Sequence, residues 1–289
     1  MPNRIAVLVI HGMGSQGNSS QGIDEISFSK DLYKALKKKL GSQVFRNIGW
    51  REVFWADVLQ SRQDDFVRRN LKRKGARWMK TRRFVMHNLA DAASYRRNPG
   101  DDRDQIYHQI HQRVHNTIAR LEEISGPGTP LLVLAHSLGG HIMSNYIYDM
   151  RQGRPEIAGA TPFQRLDTMA GFVTFGCNIP VFSFSYQPKD IHPIAYPGKA
   201  IAKKKRLKPW WLNLNDKDDA LGMPLAGTSP GYQALHDKGG LRDRWVDSGG
   251  LFQFWNPASH NGYWRDPDVH DEIAGMMKKA LKIGQVAVD

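Results

Sequence analysis

Continuous apolar runs along the chain alternate with stretches whose apolar residues recur every three or four positions. The runs rich in β-branched residues have the length and composition of strands that are buried on both faces. The strand candidates are IAVLVI at 5–10, VFRNIGWREVFWADV at 44–58, LLVLA at 131–135, MAGFVTFG at 169–176, PWWLNL at 209–214 and the region 241–255. This alternation predicts an α/β fold with a mostly parallel, doubly wound sheet and helices on both faces.

Periodic apolar positions predict the helices. One helix is expected over residues 24–40, where Gly41 closes it. The turn NPGDD at 98–102 offers an aspartate N-cap to a second helix, whose apolar residues run from Ile106 to Leu121. Further helices are expected over 138–150 and from Pro267 to about Lys282.

The 289 residues are enough for one domain with a core that needs no disulfide or metal. We therefore predict a single domain over 1–289 with two insertions. Residues 58–100 form a basic helical insertion, and residues 178–209, rich in proline and aromatic residues, form a candidate cap or lid. Plain packing over the sheet is an equal alternative for the second insertion.

The apolar runs are too short for a membrane span, and the N-terminus lacks the pattern of a signal peptide. Cys177, the single cysteine, cannot form an internal disulfide, which agrees with a reducing compartment. We therefore predict a cytoplasmic protein in which Cys177 is a small buried hydrophobic residue.

The net charge of +13 favours phosphate-bearing partners, either anionic lipid or nucleic acid. Residues 66–86 interleave arginines with Trp78, Met79, Phe84 and Met86, a composition found in helices that lie on anionic membranes. The alternative is a solvated face whose apolar stripe packs onto the fold. Nucleic acid is the weakest interpretation, because Trp210 and Trp211 after the run KKKRLK open a predicted strand and are expected in the core.

The run LLVLAHSLGG at 131–140 places a serine between a buried strand and a helix. A sharp strand-to-helix turn strains its central residue and admits only small side chains two positions away, which Ala135 and Gly139 provide. Such a turn would expose the Ser137 hydroxyl above the carboxyl ends of the strands, at a helix N-terminus that favours negative charge. Ser137 is thus a candidate nucleophile.

These residues resemble the G-x-S-x-G motif of the α/β-hydrolase superfamily, with Ala135 in place of the first glycine. The resemblance implies a catalytic triad in the chain order serine, acid, histidine. Three aspartates follow the strand at 209–214, and DDALGMPL resembles the DDPxxxPL turn of lipase-like hydrolases, which favours Asp219 as the acid. Asp218 is the second choice and Asp216 the third.

His260 lies in a loop of small and polar residues beyond the last predicted strand, where the superfamily places the base. His236 and His270 compete for this role. His236 comes before the last strand, and His270 lies in the terminal helix, so chain order favours His260.

The loop VIHGMGSQ at 9–16 resembles the HG-type oxyanion motif of lipases. The resemblance implies that the backbone N–H groups of Met13 and Leu138 hold the oxyanion. It also implies that His11 braces the loop from below, with a role as an extra base as the weaker alternative. The supporting residues would be His11, Gly12, Gly14, His136 and Gly139. Overall the chain looks closest to bacterial HGxGSQ lipase-like hydrolases and, more distantly, to enzymes that deacylate lipid anchors.

The sequence therefore predicts a serine hydrolase that cleaves carboxylic esters, with a small-molecule or lipid ester as substrate. The alternatives are a phospholipase or lipid deacylase that docks on anionic membranes, and a non-catalytic binding protein of the same fold. His108, His111 and His115 lie along one helical face and could bind a metal, but a solvated face is favoured. With no GxGxxG or Walker loop, we predict no cofactor.

Overall fold

The computed structural model describes residues 4–12, 25–72, 93–95, 105–153, 160–247 and 260–287. Its centre is a six-stranded sheet in the order β2-β1-β3-β4-β5-β6, with every neighbouring pair parallel. The strands are β1 (Ile5–Ile10), β2 (Ile48–Val53), β3 (Leu131–His136), β4 (Met169–Phe175), β5 (Trp211–Asp216) and β6 (Leu241–Val246). The predicted α/β fold class is confirmed.

Helices flank both faces of this sheet. They are α1 (Lys30–Leu40), α2 (Ser42–Phe45), α3 (Asp57–Phe66), α4 (Gln105–Ser125), α5 (Leu138–Arg151), α6 (Ile179–Ser183), α7 (Pro230–Asp237) and α8 (Pro267–Leu281). Thr174 of β4 faces α5, where it lies beside Gly140, whereas Gly171 of the same strand faces Met276 of α8. Since positions 171 and 174 point to opposite sides of a strand, α5 and α8 cover opposite faces.

Burial across the sheet explains the sequence pattern. Every residue of β1, β3, β4 and β5 is buried, because these strands have a neighbour on each side and helices above and below. At one edge of the sheet, β6 has both buried and exposed residues, and its Trp245 is about half exposed. Trp210 and Trp211 are buried, as predicted.

Three element boundaries differ clearly from the sequence prediction. Strand β2 spans only Ile48–Val53 of the predicted run 44–58, because helices α2 and α3 occupy the two ends of that run. Helix α1 begins at Lys30, not at residue 24, because Glu52 of β2 binds the N–H and hydroxyl groups of both Ser27 and Ser29 and holds this segment out of the helix. Strand β5 begins at Trp211, after Pro209, which has no N–H to donate to a ladder.

The structure describes parts of both predicted insertions. Within 58–100, α3 continues into a π-helical turn over Val67–Lys72, and residues 73–92 and 96–104 lie outside the described residues, as do Trp78, Met79, Phe84 and Met86. Within 178–209, Ile194, Ile201 and Leu207 are buried, whereas Phe184 is 77% exposed and Tyr186 64% exposed. A mobile lid in this segment stays a prediction.

Candidate active site

Ser137 lies at the turn between β3 and α5 with φ 54° and ψ −128°. This positive φ is costly for a residue with a side chain, by about 1–3 kcal/mol. Two backbone hydrogen bonds hold the turn: the Ser137 N–H donates to the Phe175 carbonyl at 3.0 Å, and the Gly140 N–H donates to the Ser137 carbonyl at 2.9 Å. The strained turn that the motif predicts is present at this serine.

The two residues that follow β1 pack directly against this turn. A Cβ atom on Gly12 would lie 2.4 Å from the Ser137 Cβ and 2.9 Å from its Oγ. A Cβ atom on Gly139 would lie 2.6 Å from the His11 carbonyl oxygen. Both positions therefore require glycine, because any side chain would push the two segments apart.

Three side chains from distant parts of the chain form a line of hydrogen bonds. The Ser137 Oγ is 2.7 Å from the His260 Nε2, and the His260 Nδ1 is 3.0 and 2.9 Å from the two carboxylate oxygens of Asp219. Because a carboxylate only accepts, Nδ1 carries the proton and Nε2 is free to accept from the serine hydroxyl. This is the protonation pattern that a general base needs.

All three side chains are enclosed. Ser137 is 0% exposed, His260 5% and Asp219 6%. The expected exposure of the Ser137 hydroxyl is therefore wrong for this structure. The physical reason is that Gly12, two residues after the end of β1, and the imidazole of His260 both lie against it.

Asp219 remains ionised despite its burial. Burial alone would raise its pKa, but the hydrogen bond and charge of His260, with further hydrogen bonds from the Leu221 N–H and the Tyr263 hydroxyl, hold that pKa below its ordinary value. A charged carboxylate at this position can stabilise a protonated imidazole.

Asp243 of β6 stabilises the loop that carries Asp219, at a point a few residues after Asp219. The Asp243 carboxylate accepts hydrogen bonds from the N–H groups of Leu225 and Ala226 and from the Asn213 side chain. A carboxylate with several N–H donors is a strong anchor.

The other acid and base candidates lie elsewhere. Asp218 is exposed, and its N–H donates to the Asp216 carboxylate, itself buried in β5. His236 is paired with its neighbour Asp237 at the end of α7. His270 is buried in α8 and bonded to the Trp264 carbonyl.

His136, directly before the serine, holds the backbone of His260. Its Nε2–H donates to the His260 carbonyl oxygen at 2.7 Å, and the two rings lie 4.8 Å apart. Burial lowers the pKa of His136 to about 3, so the ring is neutral at physiological pH. A neutral ring adds no charge next to His260.

His11 lies at the end of β1 beneath the same turn. Its Nδ1–H donates to the Gly12 carbonyl at 2.5 Å, its ring stacks on Trp55, and the Trp55 indole N–H donates to the His11 carbonyl at 3.1 Å. Burial lowers its pKa to about 4. These contacts fit a bracing residue better than an extra base.

Of the two expected oxyanion donors, Leu138 lies within the described residues. Leu138 is the first residue of α5, where an N–H group has no acceptor within the helix. Met13 and Gly14 lie outside the described residues.

Sequence reasoning missed Tyr263, which is wholly buried and hydrogen bonded to Asp219 at 2.9 Å. Tyr263 follows His260 by three residues, and only that proximity could have suggested it. The contact joins residues 44 positions apart, beyond the reach of any local pattern.

The histidines of α4 do not form the solvated face that we expected. His111 is 5% exposed, and its Nε2 is 2.7 Å from the Tyr95 hydroxyl, because it borders the apolar stripe where α4 meets α5. In the ranges that the structure describes, no group of three or more His, Cys, Asp or Glu side chains could hold a metal ion.

Cys177 is fully buried, as predicted, and burial raises its thiol pKa to about 12.

Comparisons with known proteins add little to this geometry. No protein-family model matches the chain, and no curated protein matches it. Among solved structures, a novel cutinase-like protein from Cryptococcus sp. is similar over 99% of this chain and 98% of its own, with 9% sequence identity and a TM-score of 0.42. At that distance the similarity carries no functional argument.

Within the described ranges, no helix has the length and apolar character needed to cross a membrane.

Proposed function

We propose that the protein is a serine hydrolase that cleaves carboxylic esters through a Ser137–His260–Asp219 triad. The observation that carries the proposal is the unbroken line of hydrogen bonds from the Ser137 Oγ through His260 to Asp219, at 2.7 Å and then 2.9 Å. A serine hydroxyl needs such a base, and the base needs an acid that fixes its tautomer.

In the first half of the reaction, the Ser137 Oγ attacks the acyl carbon while its proton passes to the His260 Nε2. Asp219 stays ionised and stabilises the imidazolium. The tetrahedral intermediate then expels the alcohol, which takes the proton from His260, and an acyl-serine ester remains. Backbone N–H groups of Leu138 and Met13 are proposed to hold the oxyanion during this step.

In the second half, a water molecule replaces the alcohol. His260 accepts a proton from the water as its oxygen attacks the acyl carbon, and it returns that proton to the Ser137 Oγ when the carboxylic acid leaves. The enzyme is restored, and one ester and one water have become one acid and one alcohol.

Hydrolysis of p-nitrophenyl esters, from acetate to palmitate, tests the proposal. We expect turnover by the wild type, and loss of nearly all of it in Ser137→Ala with the fold intact. A fluorophosphonate should label the wild type at Ser137 and leave Ser137→Ala unmodified. If the wild type neither turns over any ester nor accepts the label, the protein is a binding protein and the proposal is wrong.

The same assay with anionic vesicles separates two kinds of esterase. A preference for short acyl chains that vesicles do not change would indicate an esterase that acts on small molecules. A preference for long chains that increases with vesicles would indicate a phospholipase or lipid deacylase, with residues 66–86 as the docking segment. Retention on vesicles that depends on salt would support the same interpretation.

A further inference from the structure

The Tyr263 hydroxyl extends the line of hydrogen bonds by one group. It accepts a hydrogen bond from the Asp216 N–H at 2.8 Å and lies 2.9 Å from the Asp219 Oδ2. Because a backbone N–H can only donate, the phenolic oxygen must act as acceptor toward Asp216. Its own proton is then available for the carboxylate of Asp219.

The ring of Tyr263 is fixed in place on several sides. It is 0% exposed, and it belongs to the short 3-10 turn Gly262–Trp264 that follows His260. A Cβ atom on Gly176 would lie 2.9 Å from the ring, and one on Gly222 would lie 2.9 Å from the hydroxyl. These two glycines let the chain close around the tyrosine, so the hydroxyl has little freedom to turn away from Asp219.

We infer that Tyr263 is a positioning residue for the hydrolase, acting on His260 through Asp219. The inference rests on the proposed function. The donated hydrogen bond keeps one carboxylate oxygen oriented and makes the carboxylate a weaker base. Asp219 can then stabilise the imidazolium without taking its proton, and the loop of Asp219 is tied to the turn that follows His260.

Tyr263→Phe removes the hydroxyl and keeps the ring. We expect kcat/KM to fall roughly 10- to 100-fold, mostly through kcat, which is the scale of one hydrogen bond to a charged group. We also expect the acid limb of the pH profile to move to higher pH, because a carboxylate without this donor holds the imidazolium proton more tightly. A purely structural role would not move that limb.

Tyr232→Phe is the matched control, because Tyr232 is another buried tyrosine and lies in α7 against Trp211. It should leave both kcat and the pH profile unchanged. The second test combines Tyr263→Phe with Asp219→Asn. If Tyr263 acts through Asp219, the double variant should be no slower than Asp219→Asn alone. Two losses that multiply would overturn the inference.

Site-specific 3-fluorotyrosine at position 263 covers the case in which Tyr263→Phe does not fold. A more acidic phenol donates a stronger hydrogen bond, so the acid limb should move to lower pH, opposite to its movement in Tyr263→Phe. An unmoved limb in the fluorinated protein would overturn the inference.

A readout that does not need turnover separates this inference from the proposed function. The low-field proton resonance of the His260 Nδ1–H should change in Tyr263→Phe and stay in place in Tyr232→Phe. If fluorophosphonate fails to label Ser137 while this resonance responds as expected, the proposed hydrolase is wrong and the positioning contact stands. If Ser137 is labelled and the resonance does not change in Tyr263→Phe, the inference about Tyr263 is wrong.

Discussion

The choice between neighbouring acids is decided by single contacts at the residue scale. Asp219 is hydrogen bonded to His260, at 2.9 and 3.0 Å, whereas Asp218 is exposed. We expect Asp219→Asn to lower kcat roughly 10³-fold or more, because the amide cannot stabilise the imidazolium. Asp218→Asn should change kcat less than about twofold. The reverse result in a p-nitrophenyl ester assay would make Asp218 the acid.

Gly12 is a second point where one atom matters. In Gly12→Ala the new Cβ would meet the Ser137 Cβ at 2.4 Å, so one segment must move. We expect a loss of about 1–3 kcal/mol in the free energy of unfolding and a large loss of ester hydrolysis. Gly227→Ala is the control, since no atom other than those of its two chain neighbours lies within 4 Å of its Cβ position. Urea denaturation and the ester assay measure both effects, and equal behaviour of the two variants would contradict the close packing.

At the residue scale, the sequence pointed to candidate side chains through short motifs and through their order along the chain. The small-x-Ser-x-small turn indicated Ser137, chain order indicated His260, and the resemblance of DDALGMPL to a lipase-like turn favoured Asp219. The structure brings these three side chains within hydrogen-bonding distance in a line. The catalytic roles stay predictions. Tyr263 and the burial of His111 could not be predicted, because each depends on contacts between segments far apart in the chain.

At the scale of elements, apolar patterning located the strands well because burial on both faces leaves an uninterrupted run. The predicted run 169–176 corresponds to β4 at Met169–Phe175, and the terminal helix ends at Leu281, one residue from the prediction. Helix α1 begins later than its periodicity suggested, because the Glu52 carboxylate accepts hydrogen bonds from the N–H groups of Ser27 and Ser29 just before it. A contact of this kind leaves no trace in the local pattern.

Helix α8 contains Gly275, and apart from the neighbouring backbone of the helix no atom lies within 4 Å of its Cβ position. Gly275→Ala should therefore raise the free energy of unfolding by about 0.5–1 kcal/mol, because alanine loses less backbone entropy in a helix. Gly153, just after α5, also has open space but a φ of +63°. Gly153→Ala should destabilise the protein because that conformation strains a side chain. Thermal melts should shift in opposite directions, and a gain in both variants would contradict this account.

At the scale of the whole molecule, buried neutral histidines make stability depend on pH. Burial lowers the pKa of His11 from 6.5 to about 4 and that of His136 from 6.5 to about 3. As the pH falls below about 6.5, these two histidines become protonated in the unfolded chain but stay neutral in the folded protein. The free energy of unfolding should therefore decrease progressively toward pH 4. This contribution is complete above pH 6.5.

Urea denaturation at about pH 7.5 and about pH 5 measures this dependence. His136→Gln removes one of the titrating groups, so its stability should fall less between the two pH values than that of the wild type, even if it starts lower. Equal losses in the two proteins would show that His136 does not contribute.

The enclosure of the Ser137 hydroxyl, which is 0% exposed, limits how fast a reagent can react with it. A reagent can acylate a wholly covered oxygen only during those moments when the protein uncovers it. Raising the reagent concentration should then accelerate labelling only up to a plateau, and the plateau rate is the frequency of opening. Reagents of quite different intrinsic reactivity would then reach the same maximum labelling rate, because the opening of the protein, and not the chemical step, would be rate-limiting.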